Sequence, residues 1–150
     1  MNAQQMWSEL ISIHPEYQNT TYNAWSYGVE ANELARLTFE KIKTATASAF
    51  EEYALENEAL PEEGELNIIL NADEEAVCIT KTTKVSVVPF QDVSKEHAFK
   101  EGEGDRSLEY WRNVHKTFFE NGYKKSGLMF HDNIPVVCEE FEVIYKQKLL

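Results

Sequence analysis

The chain has 150 residues, 43% of them hydrophobic and 12% aromatic, with only 6 Gly and 4 Pro. That is enough apolar surface for one core in one domain, and too much for a disordered or fibrous chain. Against 26 Asp and Glu stand 14 Lys and Arg, and the net charge of −12 disfavours DNA, anionic membrane surfaces and non-specific contact with long RNA.

Met6, Trp7, Leu10 and Ile11 recur at helical spacing, and Pro15 disfavours helical geometry at His14, so a short amphipathic helix ends there. No basic region precedes a long apolar run, which predicts a soluble, cytoplasmic protein with no membrane partner. A polar loop over Asn19 to Asn23 follows, and then a second helix from about Ala31 to Lys41, on which Leu34 and Leu37 form the apolar face. The stretch "TATASAFEEYALENEALPEEGE" reads as strand or turn and then a short Glu-rich helix, interrupted by Pro61 and Gly64.

From Glu65 two apolar, β-branched runs flank Asn71 to Glu75 and predict a hairpin of central strands. Ser94 is placed to cap "SKEHAFKE" with Gly102 ending it, and Ser107 to cap "LEYWRNVHKTFFENG" with Gly122 ending that helix. Leu108, Trp111, His115 and Phe118 define the expected core stripe of the second of these. "IPVVCEEFEVIYK" closes the chain as a strand, giving an α+β domain around a small, mostly antiparallel sheet or barrel. Cys78 and Cys138 sit in apolar strand text and are expected to be reduced and buried. The 4 histidines are far apart and no His or Cys pair has a metal-ligand spacing, so no metal or other cofactor is expected.

Four stretches, "WSYG" (Trp25 to Gly28), "KTATAS" (Lys43 to Ser48), "VVPFQDV" (Val87 to Val93) and "EGEGDRSLEYWRNVHKTFF" (Glu101 to Phe119), occur in one order. In that order they resemble the ASCH-domain family of small PUA-like β-barrels, specifically its longer bacterial branch; the last motif is the most specific. The resemblance implies one domain over 1–150, with an N-terminal helical extension over 1–24 and a barrel with helical insertions over 25–150. It implies a cleft at the barrel mouth for a nucleoside-like ligand or a short or structured RNA. Some small members resemble amidohydrolases that remove an acyl group from N4-acetylcytidine; these are shorter and lack the N-terminal helix. Carried over residue by residue, the implied working group is Lys43, Thr46 and Glu101. The family usually has Gly two residues before the motif lysine, where this chain has Lys41.

Each candidate has more than one reading. Glu101, in the last turn of its helix near Glu103 and Asp105, is expected to have a raised pKa suited to a general acid or base, or else to be a solvated loop acid. His97, one turn earlier, can pair with it at the surface. Lys43 can orient a substrate carbonyl, act as a base if desolvation lowers its pKa, or be a surface lysine. Thr46 can be a nucleophile or a hydrogen-bond donor, and a turn or bulge must bring it onto the side of Lys43. Trp25 and Tyr27 can stack on a base or pack in the core. Trp111 and His115 belong to the core helix, with a ligand contact open to both. Glu103 and Asp105 make the acidic loop a better ligand site than a phosphate cradle. Glu139 shares parity with Phe141 and Val143, which points it inward unless it lies on a solvated edge.

Overall fold

In the computed structural model, which describes residues 1–147, helix α1 (Ala3–Ile13) opens with a capping box. The Asn2 side chain accepts from the Gln5 N–H, and Gln5 Oε1 accepts from the Asn2 N–H, each at 2.8 Å. The helix stops at His14, which leaves helical geometry at φ −126° ahead of Pro15. Its buried residues Met6 and Leu10 pack with Ile68 and Ile79, so the N-terminal segment covers the same sheet that the rest of the chain builds.

That sheet contains β1 (Asn23–Ser26), β2 (Ala45–Ala49), β3 (Leu66–Leu70), β4 (Ala76–Pro89) and β5 (Pro135–Lys146), in the order β1-β3-β4-β5-β2. The expected hairpin is β3 and β4, its loop held by Asn71 Oδ1, which accepts from the N–H groups of Asp73 and Glu75. Long β4 pairs with β5, and β5 with β2, all antiparallel. β1 runs parallel to β3; this strand begins at Asn23, which sequence alone assigned to a loop, because its "NAWS" text is too short to show alternation. The sheet curls into a half-barrel whose two edges are β1 and β2.

Helices fill the connections. α2 (Ala31–Phe39) ends short of the expected Lys41 because that residue is left-handed, at φ 62°, while the N–H groups of Ile42 and Lys43 both bond the Leu37 carbonyl. α3 (Phe50–Leu55) follows β2, and α4 (Lys95–Glu101) lies between its Ser94 cap and a left-handed Gly102. α5 (Leu108–Lys125) starts at the Ser107 cap as expected but continues through Gly122. A Cβ there would meet only the carboxylate of Glu52, the movable end of a side chain, at 2.7 Å, so the helix runs through this position, and Gly127 at φ 75° turns the chain instead. The buried stripe of α5 is Trp111, His115, Phe119 and Tyr123; Phe118, expected in the core, is 41% exposed. An unbroken spacing of four keeps the stripe over the core, and the step to 118 rotates off it.

Both cysteines are free and buried. Among the described residues no helix is long and apolar enough to cross a membrane.

Candidate functional site

A cavity of about 700 Å³ opens where both edges of the half-barrel contribute side chains: Trp25 from β1 with Tyr27 just after it, and Thr46 and Ser48 from β2. Its wall includes Val114, His115 and Phe118 of α5, and Lys43, Glu101, Glu103 and Glu139 also line it. An incompletely closed barrel leaves such a seam, and the edge strands supply polar side chains to it.

Two chain turns bring the charged residues together. Thr44 N–H donates to the Lys100 carbonyl at 2.7 Å, which ties the segment after α2 to the end of α4. Gly102 packs so closely on this segment that a Cβ would lie 2.6 Å from the Ile42 oxygen, at φ 75°. Arg106 clamps the same junction, donating to the carbonyls of Phe99 (2.9 Å) and Ile42 (3.3 Å). Lys43 precedes β2 instead of lying in it, so strand parity does not apply between Lys43 and Thr46, and both reach the cleft.

Lys43 and Glu101 are each 1% exposed. Lys43 Nζ donates to Glu101 Oε1 at 3.1 Å and to Glu103 Oε2 at 3.0 Å. Glu101 Oε2 accepts from Trp111 Nε1 at 2.5 Å and bonds His97 Nε2 at 2.8 Å. His115 stacks on Trp111 with ring centres 4.2 Å apart, its Nδ1 bonds the Trp111 carbonyl at 2.9 Å, and its Nε2 lies 3.6 Å from Glu101 Oε1. A carbonyl only accepts, so Nδ1 carries a proton. A carboxylate facing Nε2 favours the protonated ring more than water does.

The charge states follow. Burial pushes the Glu101 carboxyl up, but Lys43 and the His115 and His97 contacts outweigh it and hold the group well below the usual carboxylate range. This overturns both sequence readings of Glu101: it is neither a solvated acid nor a carboxyl raised for proton transfer, because its partners come from elements that helix position alone does not reveal. Burial pushes Lys43 down, yet Glu101, Tyr27 and Glu103 hold it above its ordinary value, so it is an ammonium and not a base. His115 is likewise raised, Glu101, the Trp111 carbonyl and Glu103 overcoming burial. Glu139 behaves in the opposite way to Glu101: burial raises its carboxyl, Thr82 partly offsets this, and Glu65 adds to it.

Glu101, Glu103 and His115 each offer a ligand atom, all within 4.8 Å of one another. The Lys43 ammonium already lies within 3.1 Å of both carboxylates, so the cation that neutralises them is the protein's own side chain.

The remaining sequence candidates divide. Trp25 donates from Nε1 to Asn67 Oδ1 at 2.9 Å and meets Tyr27 edge-on at 5.0 Å. Tyr27 is 8% exposed, its hydroxyl sharing a 2.9 Å bond with Thr38. Trp111 supports Glu101 and His115 without itself lining the cavity, and Asp105 lies on the surface, accepting from the Ser107 N–H at 2.9 Å ahead of α5. Sequence reasoning missed Asn67 and the Ser48 and Tyr53 pair, bonded at 2.6 Å. An asparagine inside "LNIIL" and the shared parity of Thr46 and Ser48 were the available signals.

The family model of the ASCH domain matches residues 23–145. The chain is similar to the crystal structure of an ASCH domain from Lactobacillus crispatus JV V101, with 30% identity over 95% of this chain and 93% of that one and a TM-score of 0.89. It is similar also to a protein of Enterococcus faecalis V583, with 32% identity over 95% of this chain and 88% of that one and a TM-score of 0.87. A hypothetical protein, PH0355, shares the fold at 17% identity over 83% of this chain and 100% of that one, with a TM-score of 0.56. None of the curated proteins matches the chain.

Proposed function

The chain belongs to the ASCH-domain family, and from that premise we propose that its cleft is an amidohydrolase site that removes the acyl group from an N4-acylated cytosine or cytidine. The observation that carries this reading is a hydroxyl, Thr46, lining the same cleft as an ammonium, Lys43, whose charge is held by the buried Glu101 and the half-buried Glu103. A charge fixed before substrate arrives stabilises the oxygen of a tetrahedral acyl intermediate without reorganising. Thr46 is the nucleophile of this scheme, and Glu101 acts by holding Lys43 in place. Trp25 and Tyr27 offer aromatic surface to the base. The net reaction is amide plus water to carboxylic acid plus exocyclic amine.

Electrostatics favour an uncharged ligand. Glu58, Glu65, Glu101, Glu103 and Glu139 line the cleft against Lys43 and His115, so phosphate groups are repelled and a nucleoside is preferred to an RNA strand. The test is incubation with N4-acylated cytosines, cytidines and short RNAs, with released acid and retained ligand both measured. Acid release without stable RNA retention is the expected result; retained RNA with no acid released replaces the enzyme by a non-catalytic RNA- or modified-base-binding module.

A further inference from the structure

Amide cleavage through Thr46 needs a group to take the hydroxyl proton and deliver it to the departing amine. Lys43 is an ammonium and Glu101 is a carboxylate surrounded by donors, so neither is free to exchange it. We propose that Glu139 is the proton-transfer carboxylate of the cleft, an assignment that rests on the amidohydrolase reading above.

Three observations place it. Thr46 and Glu139 are direct cross-strand partners in the antiparallel β2 and β5 pair, so their side chains project on the same face with Cβ atoms roughly 4.5–5.5 Å apart. Both line the cavity. Thr82 Oγ1, on β4, donates to Glu139 Oε2 at 2.6 Å, which fixes the carboxyl while engaging only that oxygen among the described bonds. The titratable groups facing it are Tyr53 of α3 and Glu65 ahead of β3; Lys43, Glu101, Glu103 and His115 line the same cleft. A carboxyl raised toward neutrality by such surroundings accepts and returns a proton more readily than one held deep in the acidic range.

The steps balance. Thr46 Oγ forms a bond to the acyl carbon as its proton passes to the Glu139 carboxylate. The C–N bond then breaks, and Glu139 returns the proton to the leaving nitrogen, producing free amine and a threonyl ester. Water next adds to the ester, giving a proton to Glu139 as its oxygen bonds carbon. Thr46 Oγ leaves and recovers that proton, releasing the carboxylic acid.

Two variants of the full chain test the assignment on N4-acetylcytidine. Glu139→Gln keeps an acceptor for Thr82 and is expected to lower kcat by about 10²–10⁴-fold with KM little changed. Thr82→Val removes a bond that favours the ionised carboxylate, so the acidic limb of the kcat profile is expected to move to higher pH. A role in packing alone moves no such limb. If the wild-type protein releases acid while Glu139→Gln matches its rate, or while the Thr82→Val limb stays in place, Glu139 is overturned and the amidohydrolase reading stands. If the wild-type protein releases no acid from any acylated cytosine or cytidine, both are overturned. Should Glu139→Gln fail to fold, the position of the Thr82→Val limb decides.

Discussion

Replacing Glu101 with Gln tests the buried charge cluster directly. The substitution preserves shape but removes the negative charge from a site 1% exposed, leaving the equally buried Lys43 ammonium with Glu103 as its remaining carboxylate. It also sets an amide N–H₂ among groups that themselves donate, from Lys43, Trp111 and the histidines. Breaking one side of a buried pair typically costs about 3–5 kcal/mol. Glu103 lies 3.0 Å from Nζ and is only 16% exposed, so it retains part of the compensation and the lower end applies. About 3 kcal/mol corresponds to a fall in Tm of roughly 6–12 °C for a chain of this size. Thermal and urea unfolding near neutral pH measure it, and Lys43→Met combined with Glu101→Gln should recover much of the loss by removing the orphaned charge. A loss below about 0.5 kcal/mol for the single variant would mean that Glu101 is solvated like an ordinary surface acid, and the charge states derived from its burial would fail with it.

The pH dependence has a definite sign. His115 is raised in the folded chain, so its stabilisation is full below about 6.5 and is lost as pH rises through the folded value; the urea midpoint should fall on the alkaline side, and the same fall in His115→Gln would refute the cause. Glu101 is depressed, so its contribution is present above about 4.3 and is lost as pH falls toward the lower folded value. Lys41→Gly should raise stability by about 0.5–1 kcal/mol, because Lys41 is exposed at φ 62° and relief of left-handed strain exceeds the entropy glycine adds to the unfolded chain; an unchanged urea midpoint would contradict this. Phe119→Ala, at a site 1% exposed, should cost about 3–5 kcal/mol. Phe118→Ala, at a cleft residue 41% exposed, should cost much less and alter ligand affinity; equal losses in denaturant would merge the two faces of α5.

The contrast between those neighbours also marks how far the sequence could be read. The Asn2 to Pro15 helix, the turn at Asn71 and the caps at Ser94 and Ser107 are decided within a few residues, by one side chain meeting a nearby backbone group or by one ring blocking a torsion. The apolar, β-branched runs of β3, β4 and β5 likewise announce central strands. The strand β1 did not announce itself, because four residues carry no period and its partner, β3, lies far along the chain. Gly122 looked like a helix terminator, yet α5 runs on through it to Lys125. The ionisation of the cleft was the least legible feature of all. Glu101 taken with its own helix predicts a raised carboxyl; Glu101 taken with Lys43, 58 residues away, and with Trp111 and His115 across the core, is held ionised. Caps and periods are local and therefore written in adjacent letters, whereas a pKa depends on the dielectric and charges that surround a group, and for Glu101, Lys43 and Glu139 only the folding of the sheet and the docking of α4 and α5 decided what those would be.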